Sequence, residues 1–295
     1  MQMQGRNKGI AMVLLGAGLW GSSSTAVQFL FTEKNMTPEW LLIIRMLITG
    51  LGFMSISLYQ KLPLWTVWKE DKVLMTKFCV LGLYLMQYPF FKAIALSNSV
   101  TATVIQYLMP VILLAFYLKQ VKRKPNKQEL IAVFLAVAGT YLLVTKGSWT
   151  NLEISPEGFA WALASAFGMA FYTEYARRLL LKYSCVLILG WGSLVCCGLL
   201  VVTTRPWNTV FTGILDGPAL AALGIILFLG TFAAYYLYLE STIYIPASET
   251  GALAAFEPLS AFIMAILVLH ISFGWAETLG ALCIITMVVV LARSK

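Results

Sequence analysis

The sequence predicts an all-α integral membrane protein of ten transmembrane helices, arranged as two inverted five-helix repeats. Three observations predict it: a composition suited to lipid, a series of long apolar runs, and a likeness between the two halves. Of 295 residues, 60% are hydrophobic and 12% charged, with a mean hydropathy of +0.81. A soluble chain of this size needs far more polar surface to cover its core. Runs of about 20 apolar residues, each rising about 1.5 Å, cross roughly 30 Å of hydrocarbon.

Taken in order, the predicted spans are residues 10–30, 40–60, 73–95, 99–118, 128–146, 158–180, 185–204, 218–240, 247–269 and 274–292. The opening "MQMQGRNKG" followed by an apolar run resembles the charged region and core of a signal peptide. The run continues into "LWGSSSTAVQFL" without a small-x-small cleavage site, so it reads as a retained first helix. No loop between spans is long enough for a separate soluble domain. The five cysteines all fall in or beside apolar segments, and two are adjacent, which is no disulfide framework.

The formal net charge of +8 does not indicate nucleic acid, because the basic residues sit in short loops. With the N-terminus inside, the inner segments hold Arg6 and Lys8; Lys61, Lys69, Lys72 and Lys77; Lys119, Lys122, Arg123, Lys124 and Lys127; Arg177, Arg178 and Lys182; and Arg293 and Lys295. The outer segments hold Lys34, Lys92, Lys146 and Arg205. This bias predicts a multi-pass protein of the cytoplasmic membrane with both termini cytoplasmic.

The halves align. "YPFFKAIALSNSVTATVIQYLMPVILLAFYL" (88–118) lies without gaps on "YYLYLESTIYIPASETGALAAFEPLSAFIMA" (236–266), pairing Tyr88 with Tyr236, Lys92 with Glu240 and Pro110 with Pro258. The same offset pairs Glu129 with Glu277, and "KGIAMVLLGAG" is similar to "EGFAWALASAF" at 157–167. The predicted repeats are residues 1–147 and 157–295. Five spans per repeat place the second copy upside down, an architecture typical of secondary transporters with a midplane substrate site.

"LLGAGLWGSSSTAVQFL", "IIRMLITGL", "KAIALSNSVTATVIQYLMPV" and "GALAAFEPLS" resemble EamA-type proteins of the drug/metabolite transporter superfamily. The resemblance spans essentially the whole chain. It implies a ten-helix inverted repeat around a central cavity that carries small metabolites, often amino acids or related compounds and often outward.

Charges within the spans are the first candidates for a site, because they are expensive in hydrocarbon. Glu257 precedes Pro258, whose missing N–H leaves the Ala254 carbonyl without its helical donor. It reads as a binding or protonation site, or as a structural acid bonded to a neighbouring helix. Glu249, eight residues earlier, lies on broadly the same side of the helix. It reads as a second such acid or as a first-turn acid favoured by the helix dipole. If transport is coupled to protons, Glu257 or Glu249 is the expected carrier, since burial penalises the charged carboxylate. Glu240 faces a cavity or the interface, and Glu174 pairs with Arg177 or Arg178 one turn away. Arg45 can hold a substrate carboxylate in a bidentate fork, or it snorkels or pairs between helices. Lys92 carries the snorkelling alternative.

Trp20, Ser24 and Gln28 share one face of the first helix at i, i+4, i+8 spacing. Tyr84 and Tyr88 share a face with Gln87 adjacent, and Gln106 and Tyr107 precede Pro110. Tyr172, Trp191 and Tyr236 complete the candidates. Such stripes pack helices as readily as they touch ligands, but several fall on helices that line the cavity in the resembled family. The lone His270 argues against a metal site, and no cofactor is expected.

The leading expectation is a secondary transporter of a small polar or zwitterionic metabolite, an amino acid or related amine, working by alternating access. The alternatives are a membrane-embedded lipid-modifying enzyme and a non-transporting sensor or partner protein. Neither a zinc-protease motif, a G-x-S-x-G elbow nor a Walker-type glycine loop supports enzymatic or ATP-driven chemistry.

Overall fold

A computed structural model describes residues 2–147, 154–208, 213–245, 250, 253–254, 256–270 and 272–293. Helices α1 (Gln2–Thr32) and α2 (Pro38–Tyr59) are joined by the short segment 33–37. Thr37 is extended ahead of Pro38, which opens α2 where its missing N–H costs no helical bond. A short α3 (Thr66–Glu70) leads into α4 (Lys72–Lys77), which runs through a π-helical stretch (Phe78–Tyr84) into α5 (Leu85–Leu96).

The fourth predicted span is two helices, α6 (Ser99–Gln106) and α7 (Met109–Val121). Asn98 starts α6 by accepting from the Thr101 N–H. Pro110 sits in the first turn of α7, so the proline opens a new helix instead of bending a continuous one. Helix α8 (Lys127–Thr145) begins with a capping box: Asn126 accepts from the Glu129 N–H, and Glu129 accepts from the Asn126 N–H.

The second half repeats these devices. It contains α9 (Pro156–Leu180), α10 (Cys185–Thr204) and α11 (Gly217–Gly224), the last running through a π-helical stretch (Ile225–Ala233) into α12 (Ala234–Tyr244). Then come α13 (Phe256–Leu269) and α14 (Trp275–Arg293). The π-helical stretches fall at matching places when the halves are set 148 residues apart, the offset of Pro110 and Pro258. Glu277 accepts from the Gly274 N–H at the start of α14, as Glu129 does at the start of α8. The expected single helix over 247–269 is instead interrupted: among its described residues Thr250 and Leu253 are helical, Ala254 lies in a turn, and a helix runs on from Phe256. Pro258 lies in that first turn, where proline is tolerated.

The larger packings cross between the halves. Helix α1 packs on α11, α12 and α13, α9 packs on α4, α5, α6 and α7, α2 on α10, and α8 on α14. Each repeat therefore supplies the surface that the other buries. Large apolar side chains such as Leu15, Leu51, Phe134, Phe228 and Leu267 point outward, while Arg45, Gln87, Gln106, Thr231 and Glu257 are buried. Apolar outside and polar within is the arrangement a bilayer favours. Among the described residues, six helices are long and apolar enough to cross a membrane, and Phe256–Leu269 and Trp275–Val290 are shorter apolar helices.

Two lysine–aspartate pairs join the halves. Lys34, just past α1, meets Asp216 at 2.6 Å, and Lys182, just past α9, meets Asp71 at 2.8 Å. The hydrogen bond from Lys182 holds the Asp71 carboxyl below the usual aspartate value, and Lys34 does the same for Asp216.

Candidate functional site

A cavity of about 40 Å³ lies where the two halves meet. Its lining comes from α1 (Trp20, Ser23, Ser24, Val27), α2 (Arg45), α5 (Met86, Gln87, Phe90, Phe91), α6 (Gln106), α9 (Met169), α12 (Tyr235) and α13 (Glu257).

Arg45 makes three hydrogen bonds within the protein. Its Nε donates to Thr231 Oγ1 at 2.7 Å, one terminal nitrogen donates to Gln87 Oε1 at 3.0 Å, and the other reaches the Gly230 carbonyl at 3.4 Å. Its guanidinium also lies 5.2 Å from the Phe91 ring centroid and 5.6 Å from that of Tyr235. Gln87 in turn donates to the Tyr235 hydroxyl. Among the described residues, these partners hold a buried charge without a direct carboxylate contact. Gly230 is required there: a Cβ would lie 2.2 Å from Ser23 Cβ, so only glycine lets α1 approach this stretch.

Opposite lies the acid. Tyr107 donates its hydroxyl to Glu257 Oε2 at 3.0 Å and to the Ala254 carbonyl. That carbonyl is the one freed by Pro258, so the break opened by one half's proline is closed by the other half's tyrosine. The Glu257 N–H also turns back to it at 2.9 Å. Helix α1 passes close at Gly21, where a Cβ would stand 2.3 Å from the Glu257 carbonyl oxygen. The polar links of the site, Arg45–Thr231, Gln87–Tyr235 and Tyr107–Glu257, each join one half to the other.

The cavity brings together Trp20, Ser24, Arg45, Gln87, Gln106 and Glu257 from the sequence candidates. Trp20 packs edge-on to Tyr235, with centroids 5.5 Å apart, and its buried Nε1 has no acceptor among the described residues. Tyr107 sits behind the lining through Glu257. Tyr172 is buried against Phe78 and Tyr235, with no hydrogen bond to its hydroxyl.

Other candidates lie elsewhere. Gln28 accepts from the Ser99 N–H at 2.8 Å and so helps cap α6. Tyr84 and Tyr88 stack on each other in a separate cluster, with Tyr84 bonded to Thr203 and Tyr88 edge-on to Trp161. Lys92 joins that cluster through Glu39 at 2.7 Å. Trp191 donates to the Leu64 carbonyl and packs on Trp65 and Trp68. Tyr236 is 40% exposed, and Glu240 is half-buried towards the start of α1. Glu174 is bonded to Arg178 on its own helix, and His270 is exposed. Glu249 lies outside the described residues.

Sequence reasoning missed Thr231 and Tyr235. Thr231, Tyr235 and Tyr238 recur at i, i+4, i+7 through an apolar stretch, a polar face that would have favoured Tyr235 over Tyr236.

Comparison with known proteins places the chain. Residues 7–145 and 156–293 each match the EamA-like transporter family. The uncharacterized inner membrane transporter YicL of Salmonella typhimurium is 32% identical over 292 residues, covering 98% of this chain and 97% of its own. The uncharacterized transporter YwfM of Bacillus subtilis is 26% identical over 291 residues, covering 96% and 93%. A solved crystal structure at 16% identity covers 98% of each chain with a TM-score of 0.70, which shows the shared fold. Two family units in tandem, an apolar exterior and a polar cavity between them agree: this chain belongs to the EamA-like transporter family and is a multi-pass membrane transporter of a small molecule.

Proposed function

We propose that the protein is a secondary transporter, not an enzyme, which exports a small zwitterionic or polar metabolite by alternating access, with amino acids and related amines the favoured class. One observation carries the reading: the cavity between the halves presents a guanidinium from the first half and a carboxyl from the second. Arg45 suits a substrate carboxylate, Glu257 suits an ammonium group, and Trp20 and Tyr235 supply aromatic faces. Trp20 Nε1 is a buried donor that a substrate oxygen can satisfy. Glu257 is the favoured proton carrier, because a carboxyl there can trade a proton for a bond to substrate.

In this reading the repeats are residues 1–147 and 157–295, inverted, with ten spans and both termini cytoplasmic. The lysine and arginine bias supports that orientation. The pattern of packing supports the inversion, since α1 against α12 and α13 is answered by α9 against α5 and α7.

Counterflow of labelled amino acids and amines in proteoliposomes tests the proposal. Saturable flux without chemical change is expected. Arg45→Lys keeps the charge but cannot reproduce the fork, and should raise the half-saturation concentration about tenfold for carboxylate substrates. Glu257→Gln should flatten the pH dependence of flux. A chemically altered solute, or no saturable flux across the panel, overturns the reading. Unchanged pH dependence in Glu257→Gln removes that residue from coupling.

A further inference from the structure

The two lysine–aspartate pairs are related to each other. Lys34 and Lys182 are 148 residues apart, the offset that matches the two prolines. Each lies two residues beyond the first helix of its half, which ends at Thr32 or Leu180. Their partners occupy corresponding places too: Asp71 is the N-cap residue of α4 and Asp216 that of α11, the helices that begin the π-interrupted third segment of each half. Each pair joins the end of one half's first helix to the start of the other half's third. Both contacts are reinforced. The Ile214 N–H donates to the Lys34 carbonyl at 2.9 Å, and the Tyr183 hydroxyl donates to Asp71 at 2.7 Å. Because the first and sixth spans run in opposite directions in the ten-span reading, the pairs lie at opposite faces of the membrane.

We propose that Lys34–Asp216 and Lys182–Asp71 are a matched pair of latches between the halves, one at each face, released in alternation to open the central cavity to one side at a time. The proposal rests on the alternating-access reading above. Matched latches are what a device with two mirror-related open states needs, since an unmatched latch would favour one state. Their strength fits as well. A partly exposed ion pair shifts an equilibrium by roughly two- to fivefold, enough to bias a gate and too little to jam it. A buried, unyielding bridge at the same place would trap the carrier. Both bridges are closed in this structure.

The test follows cavity access and needs no known substrate. A reporter, Ser24→Cys, is labelled in proteoliposomes by a membrane-impermeant maleimide added to either side, with the parent chain as background. Lys34→Cys with Asp216→Cys, or Lys182→Cys with Asp71→Cys, is bridged by a short bis-methanethiosulfonate linker that reductant removes. Bridging either pair should abolish labelling from its own face, leave labelling from the other, and be reversed by reductant. Separately, Asp216→Lys should raise labelling from the face of the Lys34 pair about two- to fivefold, and adding Lys34→Asp should restore it. Labelling from both faces that neither linker alters overturns the latches while leaving alternating access standing. A reporter reached from one face only, before any linker is added, overturns alternating access and the latches with it.

Discussion

Substituting alanine for Gly21 probes the contact on which the cavity depends. A Cβ there would lie 1.9 Å from Ser260 Oγ, 2.3 Å from the Glu257 carbonyl oxygen and 2.7 Å from the Ala261 nitrogen. Ser260 Oγ can rotate away, but the two backbone atoms cannot. Ordinary contact begins near 3.4 Å, so α1 and α13 must separate locally by about 1 Å, a strain of the kind that costs about 1–3 kcal/mol. Alanine recovers at most about 1 kcal/mol through helix propensity. The net loss of up to about 2 kcal/mol should lower the thermal midpoint by about 2–6 °C in a fluorescence-monitored melt. Because the displaced atoms belong to Glu257 and its successors, ligand-induced thermal stabilisation should weaken as well. Adding Ser260→Ala should not rescue the variant, since it removes only the side-chain part of the clash. Full rescue by Ser260→Ala, or a midpoint raised by Gly21→Ala, would refute the reasoning.

Further consequences follow from other contacts. Tyr107→Phe removes one of two donors to the Ala254 carbonyl and the hydroxyl partner of Glu257 Oε2, and should cost about 1–3 kcal/mol in thermal unfolding while shifting the pH profile of flux. The latches should be insensitive to pH over the physiological range. Asp71 faces Lys182 and Tyr183, with Glu70, Lys69 and Lys72 nearby, and Asp216 faces Lys34. Both carboxyls are held below the ordinary aspartate value of about 3.9. Each pair is therefore intact above that value and lost as pH falls through the lowered one. Reporter labelling from both faces should be flat from about pH 5 to 8 once corrected for maleimide chemistry. A rise within that window would show that another group controls access.

The chain's one-dimensional pattern was enough for the class of fold. Long apolar runs have few stable fates besides crossing lipid, so the predicted spans fall within a few residues of observed helices, except that 99–118 is two helices and 247–269 is interrupted before Phe256. Proline chemistry is also local: a missing N–H removes one helical hydrogen bond, and Pro110 and Pro258 each lie in the first turn of a new helix, while Pro89 is carried inside α5. Arg45 and Glu257 were conspicuous because charge in hydrocarbon is rare, and both line the cavity. The repeat was legible from a handful of matched residues.

Direction around a helix was harder to read, because in an apolar helix both the lipid face and the packed face are hydrophobic. The amphipathic contrast that betrays a soluble helix is then missing. Tyr235 and Tyr236 are neighbours in sequence, yet only the first joins Gln87 and Arg45 in the cavity. Gln28 shares its helix face with Trp20 and Ser24, but the start of α6 claims it as a cap. Tyr84 and Tyr88 lie beside Gln87 in sequence and belong to a different cluster.

The amino-acid order alone therefore determined that this is a helical membrane protein built from two related halves, with breaks at Pro110 and Pro258 and two charges within its spans. Those features follow from local rules of hydropathy and backbone chemistry. Only the tertiary structure decided that Arg45 would rest on Thr231, that Tyr107 would close the gap made by Pro258, and that Lys34 and Lys182 would each reach an aspartate of the other half. Such partners lie more than a hundred residues apart. What selects them is the interleaving of the halves, which brings these polar groups against the other repeat's helices.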